Sequence, residues 1–179
     1  MSGIFFDKFT QTQPANSPDV VSDGSWSPGI VGTSTRHLDS SISAIIDGGS
    51  LKISGNNTIV TSAILRYTYS DTQGIADFRQ LLIKLPLLFT NHVPSNIVLE
   101  LNDGNGIFVI VGATFSNNTF IWDTNSPQFV KPGFRLDQIR LSRLYFFYNT
   151  QITIDSQYGP ITSCKQGPSG GTTFNTCGY

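Results

Sequence analysis

The chain has 179 residues, the length of one ordinary domain, which is enough to bury a core without metals or crosslinks. Charged residues make up 13% of it and the formal net charge is −1, which leaves little attraction for a phosphate backbone and excludes nucleic acid as an expected partner. No stretch approaches the roughly 18 apolar residues of a membrane span, so membrane insertion is excluded as well.

The composition favours strands over helices. The chain contains 13 Phe, 6 Tyr and 17 Gly but a single Met, and its only glutamate is Glu100. Aromatic residues suit pleated strands and glycines suit tight turns, whereas straight-chain helix formers are scarce. The weak charge also suits a protein that packs against copies of itself.

In chain order, the first strand is predicted over residues 4–9. The polar residues 10–39 show no periodicity and are too many for a plain connection, so part of them is expected to form a surface loop that makes contacts, with Trp26 as its anchor. Residues 1–8 lack a basic stretch followed by an apolar run, so no secretory signal is expected. The expected location is extracellular or on a virion surface.

From residue 42 onward, short apolar runs alternate with turn residues. The segment 47–49, DGG, separates 42–46 from 51–53 and predicts a hairpin. Apolar and polar residues alternate over 59–69 as in one long half-buried strand. The segment 77–89 fits a helical stripe as well as a buried strand, and Pro86 favours the strand. Further strands are predicted over 96–101, 106–115, 118–122, 139–148 and 151–155.

Nine or ten strands without a long amphipathic helix predict an all-β fold, with two antiparallel sheets packed face to face as a jelly-roll sandwich. Residues 1–160 are assigned to this domain, and residues 161–179 to a C-terminal tail rich in Gly, Ser and Thr. The first and last strands are expected to pair.

The tail holds both cysteines, Cys164 and Cys177. A disulfide between them would close a loop and add about 3 kcal/mol of stability in the chain-entropy model, and it would indicate an oxidising destination. Two free thiols in a reducing compartment are an equally good interpretation. Zinc is less favoured, because two thiols without a nearby histidine supply half of a site.

Several short motifs cover most of residues 4–155, namely DKFTQTQ at 7–13, GTSTRH at 32–37, GGSLKIS at 48–54, NDGNG at 102–106, LDQI at 136–139 and ITID at 152–155. Their order resembles a family of bacterial secreted jelly-roll domains that have no assigned activity and are similar to carbohydrate-binding modules. The resemblance implies a β-sandwich without catalysis. The weakly charged, Asn/Ser/Thr-rich sequence is also similar in character to viral jelly-roll shell and fibre proteins.

The candidate catalytic groups do not form a recognisable active site. Neither His37 nor His92 lies in a nucleophile motif such as Gly-x-Ser-x-Gly, and both are expected in loops. The aspartates fall mainly at turns or strand ends, where their side chains cap the backbone, so a pair of glycosidase carboxylates is not expected. We therefore expect a protein that is not an enzyme.

Structural calcium is the one cofactor that the pattern suggests. Sandwiches of this type hold calcium where their terminal strands meet, and Asp7 and Asp155 would supply carboxylates there. The alternative is that each aspartate merely caps a strand. Residues 102–106 lack the alternating acids and the distal Glu of a calcium loop and predict a turn.

Sugar binding requires an exposed flat aromatic side chain on which a pyranose can stack, with polar groups nearby to bond its hydroxyls. Trp26 and Trp122 are the candidates, and Arg36 is the predicted polar partner. The alternative is that the tryptophans close the core of the sandwich.

Residues 145–148, YFFY, place aromatic side chains on both faces of one strand, so some of them must meet another layer or subunit. Tyr145 and Phe147 are the predicted assembly residues, and they indicate a homo-oligomer.

These features support three functions in descending order. The first is a non-catalytic module that binds carbohydrate or a surface. The second is a structural subunit of a virion capsid, a fibre or another extracellular assembly, and the third is a polysaccharide hydrolase. The expected partner is a glycan or copies of the same chain.

Overall fold

The computed structural model describes residues 41–70 and 77–166, together with Phe9 and the backbone of five short strands within residues 6–38. These residues contain no helix and form seventeen strands, more than the nine or ten that the sequence predicts. The strands are β1 Phe6–Asp7, β2 Val20–Val21, β3 Gly24–Ser27, β4 Ile30–Val31, β5 Thr33–Leu38, β6 Ile42–Asp47, β7 Ser50–Asn57, β8 Leu65–Ser70, β9 Leu81–Thr90, β10 Asn96–Asn102, β11 Phe108–Gly112, β12 Thr114–Ser116, β13 Thr119–Asp123, β14 Phe129–Val130, β15 Leu141–Phe147, β16 Ile152–Tyr158 and β17 Thr162–Lys165.

Two large antiparallel sheets form the sandwich and confirm the predicted all-β, two-sheet jelly-roll class. Sheet I has the strand order β14-β11-β10-β15-β8-β5-β2, and sheet II has the order β12-β13-β9-β16-β7-β6, with β17 also paired to β9. A third, three-stranded sheet joins β1, β3 and β4. In the part of the chain that the structure describes, no helix is long and apolar enough to cross a membrane.

The core lies between the two sheets and follows the two-residue period of the strands. Along β15, buried residues alternate with partly exposed ones, so Leu144 and Phe146 face the core while their neighbours face outward. Strand β9 is buried from Leu81 to Leu87 except at Lys84 and Pro86, which are partly exposed, and it pairs with β13, β16 and β17. Among the residues whose side chains are described, Trp122 is the largest that is fully buried.

The local predictions in this region are largely confirmed. Strands β6 and β7 pair as a hairpin with Asp47 opposite Ser50, and Gly48 and Gly49 take the positive φ angles of 60° and 89° that the turn requires. The ambiguous segment 77–89 contains strand β9 and no helix. Pro86 lies within this strand, and its carbonyl oxygen accepts a hydrogen bond from the Gly159 amide.

Two predicted strands are wrong in extent. The alternating segment 59–69 is a strand only from Leu65 onward, and residues 58–64 lead into it as irregular, bent chain. The segment 106–115 is divided between two strands, because β11 ends at Gly112 in sheet I and β12 begins at Thr114 in sheet II. The chain therefore crosses from one sheet to the other at Ala113.

The predicted pairing of the first and last strands is also wrong. Strand β1 pairs with β3, whereas β16 pairs with β7 and β9 and β17 pairs with β9. The predicted tail begins inside the sandwich, since Ile161 is buried in the core and β17 extends sheet II to Lys165. The remainder of that segment, from residue 167, lies outside the described residues.

Candidate functional site

The outer face of sheet I carries an aromatic pair on β15. Because buried and partly exposed residues alternate on this strand, Tyr145 and Phe147 are half-buried on the outside of the sandwich. Their ring centroids lie 6.4 Å apart with an interplanar angle of 26°. In the register, Tyr145 lies opposite Arg66 of β8 on one side and Val98 of β10 on the other. The two predicted assembly residues therefore form one apolar surface, a stacked pair of rings, beside an exposed arginine.

The sole glutamate fixes this surface from the neighbouring strand. Glu100 of β10 lies directly opposite Arg143 of β15, and Arg143 Nη1 donates to Glu100 Oε2 at 2.8 Å. The Tyr145 hydroxyl donates to Glu100 Oε1 at 2.9 Å. Only 13% of the Glu100 side chain is exposed. Both of its carboxylate oxygens therefore accept charge-assisted hydrogen bonds at a position largely shielded from water. These three residues, the Glu100 cluster, hold the Tyr145 ring in one orientation.

The charge state of Tyr145 follows from the same contacts. Partial burial raises the pKa of the Tyr145 phenol, and the negative charge of Glu100 raises it further, while Arg143 and Arg66 oppose the change. Tyr145 is therefore a neutral hydrogen-bond donor across the physiological pH range.

A groove of about 330 Å³ opens beside the aromatic pair. It is lined by Tyr145 and Phe147 of β15, by Arg66 of β8, and by Thr61, Ser62 and Ala63 of the segment that leads into β8. We name this the aromatic groove. It combines aromatic carbon surface with a guanidinium and two hydroxyls, which are the groups that bind the faces and hydroxyls of a neutral polar ligand.

Trp122 does not belong to any surface site, and its prediction as a ligand-binding residue is wrong. The side chain is fully buried, and its indole Nε1 donates to the backbone oxygen of Ile97 at 2.9 Å. Phe120, on the same face of β13, is buried as well. The larger apolar positions of this strand thus face the core, as a two-residue period requires.

The other predicted sugar-binding residues lie where only the backbone is described. Trp26 is in β3 and Arg36 is in β5, opposite Tyr67 of β8 in the register. Their side chains lie outside the described residues, so their roles stay predictions. His37 is in the same strand as Arg36 rather than in a loop, whereas His92 lies in the loop after β9, as predicted.

The predicted calcium site assumed that the first and last strands pair, and the structure does not show that pairing. Asp7 and Asp155 lie on strands that pair with different partners, Asp7 opposite Gly24 and Asp155 opposite Ser54. Asp155 is exposed on sheet II, and its backbone is bonded to Asn91 through both its amide and its carbonyl groups. Among the described residues, no group of three or more His, Cys, Asp or Glu side chains could hold a metal ion.

The NDGNG segment is a turn, as predicted. The Asp103 carboxylate accepts hydrogen bonds from the amides of Asn105 at 2.8 Å and Ile107 at 3.1 Å, so its oxygen caps the local backbone. Gly104 and Gly106 take φ angles of 87° and 89°.

Cys164 is disulfide-bonded and 9% exposed on β17. Cys177 lies outside the described residues, so the pairing of these two cysteines stays a prediction.

Sequence reasoning missed the Glu100 cluster and Arg66. The sequence did contain a hint. The only glutamate lies in a predicted strand, and an arginine of another predicted strand could have been proposed as its ion-pair partner. Choosing Arg143 would have required knowing that β10 and β15 are neighbours.

No protein-family model and no curated protein sequence matches the chain. Among solved structures, the chain is similar to a family 11 carbohydrate-binding module from Clostridium thermocellum in complex with a β-1,3-1,4-mixed-linked tetrasaccharide. The likeness covers 90% of this chain and 96% of that one, with 13% identity and a TM-score of 0.39.

Proposed function

We propose that the protein is a non-catalytic module that binds carbohydrate through the aromatic groove. The observation that carries this proposal is the half-exposed pair of Tyr145 and Phe147 rings, lying beside Arg66 in a groove of about 330 Å³. A pyranose ring has an apolar face that packs on such rings and a rim of hydroxyls that bonds to nearby donors.

The groups around the groove match those needs. Arg66 carries a guanidinium with several N–H donors, and the hydroxyls of Thr61 and Ser62 can donate or accept. The Glu100 cluster keeps the Tyr145 ring oriented before a ligand arrives, which reduces the entropy lost on binding. The weak net charge of −1 fits a neutral sugar better than a charged polymer.

The disulfide at Cys164 supports an oxidising location such as the extracellular space. The alternative function, a structural subunit of a virion or another assembly, stays a prediction, because the groove that Tyr145 and Phe147 line does not by itself indicate a second copy of the chain. Self-association through the same rings stays a prediction, and the experiment below separates it from sugar binding.

The test measures binding of the purified protein to a panel of soluble polysaccharides by affinity electrophoresis and calorimetry. An aromatic contact contributes about 0.5–1.5 kcal/mol beyond the area it buries, so Tyr145→Ala and Phe147→Ala should each weaken binding by about two- to twelvefold. Arg66→Gln should also weaken it. Phe89→Ala is the matched control, since Phe89 is 53% exposed on β9 of the opposite sheet.

Sedimentation of the same variants completes the design. If the rings mediate assembly, the wild-type mass rises with concentration, Tyr145→Ala abolishes the rise, and no polysaccharide is retained. The proposal fails on that result, and it also fails if Phe89→Ala weakens polysaccharide binding as much as Tyr145→Ala does.

A further inference from the structure

A second cavity lies at the end of the sandwich where β9 begins and β13 ends. It has a volume of about 390 Å³, within the range of small-molecule sites. Val109 and Thr124 are among its lining residues and are almost fully buried, so the cavity reaches the core. Val130, Phe134 and Leu136 also line it, and Val130 is 50% exposed. We name this cavity the end cleft.

A polar cavity of about 430 Å³ adjoins the end cleft. It is lined by Asp77, Arg79, Gln80, Asn125 and Lys165. Arg79 and Asn125 line both cavities, so they mark the boundary between an apolar chamber and a polar one. A ligand that spans this boundary would need an apolar part and a polar part joined directly.

The described side chains that line the polar chamber include two cations and one carboxylate. The Asp77 carboxylate accepts hydrogen bonds from Arg79 Nε at 3.0 Å and from Arg79 Nη2 at 2.8 Å. The N–H groups of Arg79 Nη1 do not take part in these two bonds. The Lys165 ammonium donates to the backbone oxygen of Arg79, which places a second cation in the chamber. Burial alone would raise the pKa of Asp77, but hydrogen bonds from Arg79 and the charge of Lys165 hold it below its usual value. Among the described lining residues, Arg79 and Lys165 are the cations and Asp77 is the carboxylate, and the negative charge of Asp137 also acts on Arg79.

We infer that this double cavity binds a small carboxylate that bears an apolar group of about the size of a benzene ring. The apolar group would occupy the end cleft, against Val130 and Leu136, and the carboxylate would bond to Arg79 with the Asn125 amide as a second donor. A guanidinium is the side chain best suited to a planar carboxylate. This site is separate from the aromatic groove and does not depend on the carbohydrate proposal.

The test uses hydrocinnamate as the probe and hydrocinnamyl alcohol as its uncharged counterpart, with binding followed by the backbone amide chemical shifts of the full chain. Hydrocinnamate should shift the amides of Asn125, Val130 and Leu136 in a saturable manner. Arg79→Gln should weaken this binding by about tenfold or more, because a charge-assisted hydrogen bond is lost. Asp77→Asn should strengthen it, because the carboxylate that competes for Arg79 is removed.

Arg135→Gln is the matched control. Arg135 is 67% exposed and pairs with Asp137 two residues later, just as Arg79 is 62% exposed and pairs with Asp77. Arg135 lines neither chamber of the double cavity, and its partner Asp137 acts on Arg79 through its charge, so its substitution should change the affinity far less than Arg79→Gln does. Tyr145→Ala, in the aromatic groove, should leave it unchanged.

Three results would overturn the inference. The alcohol could bind as tightly as the carboxylate, Arg135→Gln could weaken binding as much as Arg79→Gln, or the amides around the double cavity could stay unshifted up to the solubility limit of hydrocinnamate. Arg79 is largely exposed, so the variant is expected to fold, and its unperturbed amide spectrum away from the cavity would verify this.

Discussion

The indole Nε1 of Trp122 donates a 2.9 Å hydrogen bond to the backbone oxygen of Ile97. Trp122 belongs to β13 of sheet II and Ile97 to β10 of sheet I, so this bond joins the two sheets through the core. Both residues are fully buried. The contact combines the largest side chain of the core with a polar group that has no access to water.

Replacing Trp122 with Phe should therefore destabilise the protein more than its modest change in hydrophobicity suggests. The variant leaves a void and an unbonded buried carbonyl, which together should lower the free energy of unfolding by about 2–4 kcal/mol. Urea unfolding measures this. The exposed Phe89→Ala should change it by less than about 0.5 kcal/mol, and a Trp122→Phe value as small as that would contradict the proposed role of the indole.

The position of Trp122 could have been predicted from its own strand. In the segment TFIWD, the two largest apolar side chains, Phe120 and Trp122, share one face, and a polar Thr and Asp share the other with Ile121. The β15 segment LSRLYFF gives no such contrast, because aromatic residues fall on both faces. Periodicity there predicts two faces without saying which one is buried.

Local pairings were predictable and distant pairings were not. The β6–β7 hairpin follows from a short turn whose glycines fix the register. The pairing of β10 with β15 joins Glu100 to Arg143 across 43 positions of sequence, and no turn signal encodes it. The Glu100 cluster depends on that non-local pairing, and the aromatic groove depends on the non-local pairing of β15 with β8.

Stability is expected to fall at alkaline pH because of a buried tyrosine. Burial raises the pKa of Tyr158 well above its ordinary value of 10.0, and the neighbouring Tyr148 raises it further. Above about pH 10 the unfolded chain releases this proton while the folded chain retains it, so the unfolding free energy decreases as pH rises, by up to about 1.4 kcal/mol per pH unit. The contribution is fully present below pH 10.

Urea unfolding of wild type and Tyr158→Phe over a pH series tests this expectation. The variant should show a shallower decline above pH 10, while the two proteins should differ less at neutral pH. Tyr145→Phe serves for comparison, because Tyr145 is less buried and should change the slope less. Parallel curves for wild type and Tyr158→Phe would show that this phenol does not titrate as proposed.

Gly55 should be intolerant of any side chain. Its φ of 129° is unfavourable for other residues, and an added Cβ would lie 2.3 Å from the backbone oxygen of Ser41. Gly133 has a φ of 88° but open space around the same position. Gly133→Ala should therefore lose only about 1–2 kcal/mol from backbone strain, and Gly55→Ala should lose clearly more, because backbone atoms must also move apart. Equal losses in thermal or urea unfolding would remove the proposed clash.

The disulfide at Cys164 has two candidate partners, since the chain has only one other cysteine: Cys177 of the same chain, or a cysteine of another molecule. We expect Cys177 of the same chain, and a loop of this size adds about 3 kcal/mol in the chain-entropy model. Cys177→Ser should then lower the unfolding free energy by that amount and make it insensitive to reductant, while non-reducing electrophoresis shows a monomer for the wild type. A covalent dimer that Cys164→Ser abolishes would instead assign the bond to two chains, and would provide the covalent link that an assembly subunit uses.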